Sequence, residues 1–238
     1  MDCVGAAARV APRWRNVAGA SRTGRPVIVP GLVVINVAIF VLTVVQAGSL
    51  NRNFASGLFD VGALVPVLVA DGEVWRLVTA GFLHIGPLHL AFNMIALWII
   101  GREVESVLGR ARFLAVYGAA LLGGSAAVML FGAAGTPVAG ASGAVFGLMG
   151  ALVVLLRRLR IPAGQAFTII AVNVAISVVV PGISLTAHLG GLVVGALVTM
   201  VLVHLGVSSP HRRRIQIAAV GGIVLLTLLL STGALLLL

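Results

Sequence analysis

Lysine is absent from these 238 residues, and cysteine occurs once, at Cys3. A single cysteine excludes an intrachain disulfide. Carboxylates number only six, charged residues make up 9% of the chain, and 60% of it is hydrophobic, with a mean hydropathy of +1.17. So little polar material cannot cover the surface of a soluble domain, and lipid is the expected solvent. The first 26 residues are rich in Arg, Ala and Gly but have no apolar core, which argues against a cleaved signal peptide. Residues 1–28 are expected to form a flexible cytoplasmic tail. No internal repeat and no second domain are visible.

Long apolar runs are what the chain has instead. Seven can be read, at roughly 31–48, 84–101, 113–131, 140–156, 165–180, 185–206 and 215–238. A hydrocarbon core of ~30 Å takes about 20 apolar residues per helical span. The runs are uninterrupted and rich in Leu, Val, Ala and Gly, so helices fit them better than barrel strands, which would alternate polar and apolar residues. The expected fold class is an all-α polytopic membrane protein.

A net charge of +10 raises the question of nucleic acid, but the positions of the charges answer it. All 16 basic residues are Arg. Arg9, Arg13, Arg15, Arg22 and Arg25 precede the first run. Arg102, Arg110 and Arg112 follow the second, Arg157, Arg158 and Arg160 the fourth, and Arg212, Arg213 and Arg214 the sixth. Only Arg52 and Arg76 fall on the other side. This is the positive-inside pattern; it predicts a cytoplasmic N-terminus and an external C-terminus. The expected partner is the bilayer of the cell membrane, not nucleic acid.

Polar side chains inside a span are costly and are functional candidates by default. The second run carries His84, His89 and Asn93, the fourth opens with Ser142, and the sixth opens near His188. All three runs pass from outside to inside, so these groups fall at one level in the outer half of the bilayer. His89 and Asn93, four apart, share a helix face; His84 lies about 140° round from His89. Gly143, Gly147 and then Gly150 or Ala151 on the fourth run, and Gly191 and Gly195 on the sixth, form stripes that let two helix backbones approach. Packing through them would bring Ser142 to His188. Asn36, Thr43 and Gln46 read as ordinary interhelical hydrogen bonders. Ser177, on the fifth run with Asn173, reads as lying deeper than Ser142.

A serine becomes a nucleophile when a base such as imidazole takes its proton. The usual third member is a carboxylate. Asp2, Glu103 and Glu105 are cytoplasmic in this reading, and Asp60, Asp71 and Glu73 sit in the long outer loop, so a Ser–His dyad is inferred. Oxyanion donors are available in His89, Asn93 and the Ser142 backbone N–H. A metalloprotease would need a string such as His-Glu-x-x-His, which is absent. A transporter would place its polar groups near the midplane.

In these motifs the chain resembles the rhomboid family of intramembrane serine proteases, from about Trp75 to His204. "EVWRLVTAGFLH" is similar to the end of the family's first loop, "HLAFNM" to its His-x-x-x-Asn element, "GREVE" to the inner end of its second helix, "GASGAVFG" to its Gly-x-Ser-Gly motif, and "AHLGGLVVG" to its base-bearing helix. The resemblance implies a six-helix core (29–208) with a water-accessible cavity, and here a seventh C-terminal transmembrane helix (209–238). It implies Ser142 as nucleophile, His188 as general base, and His89, Asn93 and the Ser142 backbone as the oxyanion site. Gly140, Gly143, Phe146 and His84 would support them. Phe146 stands where other members carry Tyr. No cofactor and no metal are expected, and the implied substrates are single-pass transmembrane proteins cut within or beside their membrane segment. Trp75, Arg76, Arg102 and Glu105 would be structural. A catalytically silent relative that binds membrane-protein clients is the alternative.

Overall fold

The computed structural model describes residues 25–233, which are helical with no β-strand among them; one isolated bridge pairs Leu64 with Val138. Cys3, Arg9, Arg13, Arg15, Arg22 and the last five residues of the seventh run lie outside the described residues.

The first helix, α1 (Ile28–Ala47), has no capping side chain of its own. Glu105 supplies one from 76 residues away. Its Oε1 accepts from the N–H groups of Val27 at 2.8 Å and Ile28 at 3.0 Å, and its Oε2 from Val29 at 2.9 Å. Three of the four N–H groups that a helix start leaves unbonded are thus met by one buried carboxylate. Glu105→Ala is expected to lower stability by about 1–3 kcal/mol, the cost of stranding such donors, and Glu105→Gln to recover part of it. Thermal unfolding of the purified protein measures this; a wild-type midpoint for Glu105→Ala would refute the cap.

Residues 49–83, which the sequence reads as one long outer loop, are ordered by short helices: α2 (Gly57–Gly62), α3 (Pro66–Ala70) and α4 (Arg76–Thr79). Arg76 is buried, pairs with Glu73 at 2.5 Å and donates to the Ala63 carbonyl at 2.7 Å. Trp75 Nε1 donates to the Val61 carbonyl, and Thr79 to that of Gly62. Asn53 donates to Thr43 Oγ1 and to the His84 carbonyl, and accepts from the Gly86 N–H. Two of the three polar residues read as interhelical bonders on α1 do bond to other helices. Thr43 and Gln46 tie α1 to this segment, Gln46 by accepting from the Leu58 N–H, while Asn36 bonds back to the Leu32 carbonyl of its own helix.

The second run is α5 (Gly86–Ala96), a π-helical turn at Leu97–Gly101 and α6 (Arg102–Leu108), seven residues longer than the apolar run. It meets Arg76–Phe82 at 93°. Gly109, at φ +83°, then reverses the chain into α7 (Arg110–Phe131) within one residue, which a side chain would disfavour. The remaining helices are α8 (Ser142–Arg158), α9 (Gly164–Val179), α10 (Leu185–His204) and α11 (Arg212–Gly233). Each apolar run thus coincides with a helix. By length and apolarity four of the described helices, α1, α7, α10 and α11, can cross a membrane singly, or five if the bent pair counts as one span.

The core sits where α7, α8 and α10 pack together, filled by Phe113, Val116, Leu148, Leu155 and Val198. The outward faces stay apolar: Val34 and Val45 of α1, Leu88 and Phe92 of α5, and Val178 and Val179 of α9 are largely exposed. That is the surface of a protein whose solvent is hydrocarbon. One end of the bundle is polar. Arg158 Nε donates to the Val203 carbonyl, and Arg112 reaches Gln216, which itself donates to the Leu202 carbonyl. These groups gather at the end of the bundle opposite the start of α8.

Candidate active site

Ser142 is the first residue of α8, and no side chain caps that helix. The N–H groups of its first turn therefore need partners from elsewhere and carry the positive end of the helix dipole. The chain reaches this point along a fixed path. Val138 and Leu64 exchange backbone hydrogen bonds at 2.8 and 2.9 Å, and the Gly140 N–H donates to the Ala80 carbonyl at 2.9 Å. Gly140 holds φ +133°, a conformation that side chains disfavour. His84, fully buried, accepts from the Ala141 N–H through Nε2 at 3.4 Å. His84 thus braces the turn before Ser142, a supporting place apart from that of His89, whose ring it meets edge-on at 5.2 Å.

His89 lies in the first turns of α5. Its Nδ1 accepts from the Ile85 N–H at 3.3 Å. The neutral ring then carries its proton on Nε2 and presents that edge as a donor. The same edge faces Gly140. A Cβ built on Gly140 would come within 2.8 Å of His89 Nε2 and 3.6 Å of Ser142 Oγ. The missing side chain therefore leaves a notch bordered by the serine hydroxyl and the histidine N–H, beside the α8 N-terminus. Asn93 is buried one turn on, but its Nδ2 donates back to the His89 carbonyl at 2.9 Å. One amide hydrogen is thereby engaged on its own helix.

His188 is held by two contacts. Its ring stacks on Phe146 with centroids 4.1 Å apart and planes 14° off parallel. Phe146 stands four residues after Ser142, so the imidazole lies against the turn that Ser142 opens. The second contact is Ser177 Oγ, 2.7 Å from His188 Nδ1. This corrects the placement of Ser177. It does not lie deeper than the other groups; it is near the C-terminal end of α9, level with His188. The signal was available: with the alternation of runs expected from the Arg positions, residue 177 falls near the same end of the bundle as Ser142 and His188. Among the described residues, Ser142 Oγ makes no hydrogen bond, and none joins it to His188. Such bonds commonly tighten only in the complex with substrate.

The glycine stripes meet as expected. A Cβ on Gly191 would strike the Gly143 carbonyl, and one on Gly195 the backbone of Gly147. A third partner was missed: Gly123 and Gly124 of α7 lie against Gly190 and the Ala187 carbonyl. "LLGGSAAV" is the sequence trace of that seam.

Residues 71–205 match the family model of the Rhomboid domain. The chain is 40% identical to Rhomboid protease GluP of Bacillus subtilis (strain 168) over 179 residues, covering 73% of this chain and 34% of that protein. It is 35% identical over 208 residues to RHOMBOID-like protein 1 of Arabidopsis thaliana, covering 74% of this chain and 53% of that one. It is 29% identical over 215 residues to Rhomboid protease AarA of Providencia stuartii, covering 77% and 74%. The chain thus spans about a third of the first of these and about half of the second.

Proposed function

The chain belongs to the rhomboid family, and on that premise we propose that it is an intramembrane serine endopeptidase working through Ser142 and His188. It is an integral multi-pass membrane protein. The observation that carries the reading is the notch at Gly140, where the Ser142 hydroxyl, the His89 Nε2 edge and the unbonded start of α8 converge.

In this mechanism His188 Nε2 takes the Ser142 proton as Oγ attacks the scissile carbonyl carbon. The oxyanion forms in the notch and accepts from the Ser142 N–H and His89 Nε2–H, with the second amide hydrogen of Asn93 as a further donor. As the C–N bond breaks, His188 passes its proton to the leaving nitrogen. Water, activated by the same imidazole, then hydrolyses the acyl-enzyme. The substrate class is a single-pass transmembrane protein whose segment unwinds readily near its outer end. A peptide must be extended to enter a notch of this size, and small residues and weak helicity lower that cost. In the proposed topology residues 1–28 are a cytoplasmic tail, 29–208 a six-helix core and 209–238 an added helix ending outside the plasma membrane.

The test uses the full chain, purified and reconstituted with a single-pass substrate carrying Gly and Ser near the outer end of its span. The expected result is one endoproteolytic cut, mapped by mass spectrometry, whose rate is indifferent to EDTA. Loss of cleavage on chelation with recovery on adding zinc would overturn the serine mechanism.

A further inference from the structure

We propose that Ser177 is a positioning residue for His188, setting its tautomer from a third helix. The inference rests on the reading of His188 as general base. Ser177 Oγ has one proton and two close partners: the Asn173 carbonyl at 2.7 Å and His188 Nδ1 at 2.7 Å. The carbonyl can only accept, so it takes the hydroxyl proton, in the i−4 bond common for Ser in helices. Both contacts are then satisfied only if Nδ1–H donates to Oγ. That leaves Nε2 as the one basic nitrogen of the ring, on the edge away from α9. Phe146 holds the plane of the ring and Ser177 holds its rotation within that plane.

The arrangement also answers why no carboxylate is needed. Both side chains are nearly excluded from solvent, Ser177 at 6% and His188 at 5% exposure. An ionised carboxylate there would carry a large desolvation penalty. A neutral hydroxyl avoids it and still fixes the imidazole. During attack the Ser142 proton moves to His188 Nε2, and the imidazolium keeps Nδ1–H on Ser177 Oγ, while the Ser177 proton stays on the Asn173 carbonyl. The Nδ1–H···Oγ bond becomes charge-assisted only at that stage, so its benefit falls on turnover and not on binding.

The experiment compares the wild type with Ser177→Ala, Ser177→Cys and Ser177→Thr, all as reconstituted full chains. For each, kcat and KM on the single-pass substrate, the rate of fluorophosphonate labelling of Ser142, and the melting midpoint are measured. Ser177→Ala is expected to lower kcat and the labelling rate about tenfold, the equivalent of one net hydrogen bond, with KM unchanged and only a small fall in the melting midpoint. Ser177→Cys conserves volume but is a weak acceptor, and should be slow as well. Ser177→Thr keeps the hydroxyl and should recover most of both rates. Wild-type rates in Ser177→Ala or Ser177→Cys would overturn the proposal, as would a Thr variant no faster than Ala. A wild type that neither cleaves nor takes label would instead overturn the protease reading, and this proposal with it.

Discussion

Ser142→Ala is expected to abolish proteolysis while leaving the protein folded. The competing role for Ser142 is packing, and alanine is a near-perfect packing substitute: small, apolar and the best helix former. Ser142 makes no side-chain hydrogen bond that the change would remove, and it opens α8 without capping it. Little stability is therefore at stake. Catalysis is a different matter. Loss of the nucleophile in a serine protease lowers kcat by on the order of 10⁶, which places residual cleavage below detection. No other hydroxyl can replace it. Ser177 is turned to the Nδ1 side of His188, and Thr186, in the first turn of α10, pairs with Ser184 at 3.0 Å. His188→Ala should give a comparable loss, and the double variant should be no worse than either single one, because the two side chains act as a unit. A fluorophosphonate should label the wild type and not Ser142→Ala. Robust cleavage by purified Ser142→Ala would leave Ser142 as packing.

The long-range order of the bundle was legible because lipid imposes it. A span must be long, apolar and helical, so each run announces a helix, and α1, α7 and α10 begin and end within a few residues of their runs. The glycine spacings were legible for a related reason. In a membrane close approach needs small residues, and Gly143, Gly147, Gly191 and Gly195 recur at the spacing that such an approach requires. Polar links between distant residues were not legible. Nothing local to Glu105 says that it caps a helix starting 77 positions earlier, and nothing local to Asn53 says that it binds both Thr43 and Gly86. Such bonds depend on where elements meet, and that is decided by packing. Ser177 stands between the two cases. Its level followed from the direction of its span, but its partner followed from the rotation of α9 about its axis, which an almost uniformly apolar helix does not reveal.

Gly191→Ala should damage both the fold and the site, out of proportion to one methyl group. Gly191 lies three residues after His188 on α10 and faces Gly143, the neighbour of Ser142, on α8. A Cβ at Gly191 would overlap the Gly143 carbonyl oxygen and sit 2.7 Å from its carbon and 3.1 Å from its Cα. These are backbone atoms within a helix, so no rotamer change relieves the clash. The two helices must move apart. Overpacking of this kind costs about 1–3 kcal/mol, and alanine's better helix propensity returns at most about 1 kcal/mol of it. The displacement falls where His188 must reach Ser142, and a shift of ~1 Å in a reacting group can cost on the order of 10² in rate. The expected result is a lower melting midpoint together with a hundredfold fall in turnover, on the order of that estimate. Gly191→Val should fail to give folded protein. Gly221→Ala is the control: it lies in α11, where an added Cβ would meet no atom within 4 Å, and it should be neutral or slightly stabilising. Wild-type melting and turnover in Gly191→Ala would mean that α8 and α10 are not in backbone contact, and that the route by which Ser142 and His188 are brought together is some other one.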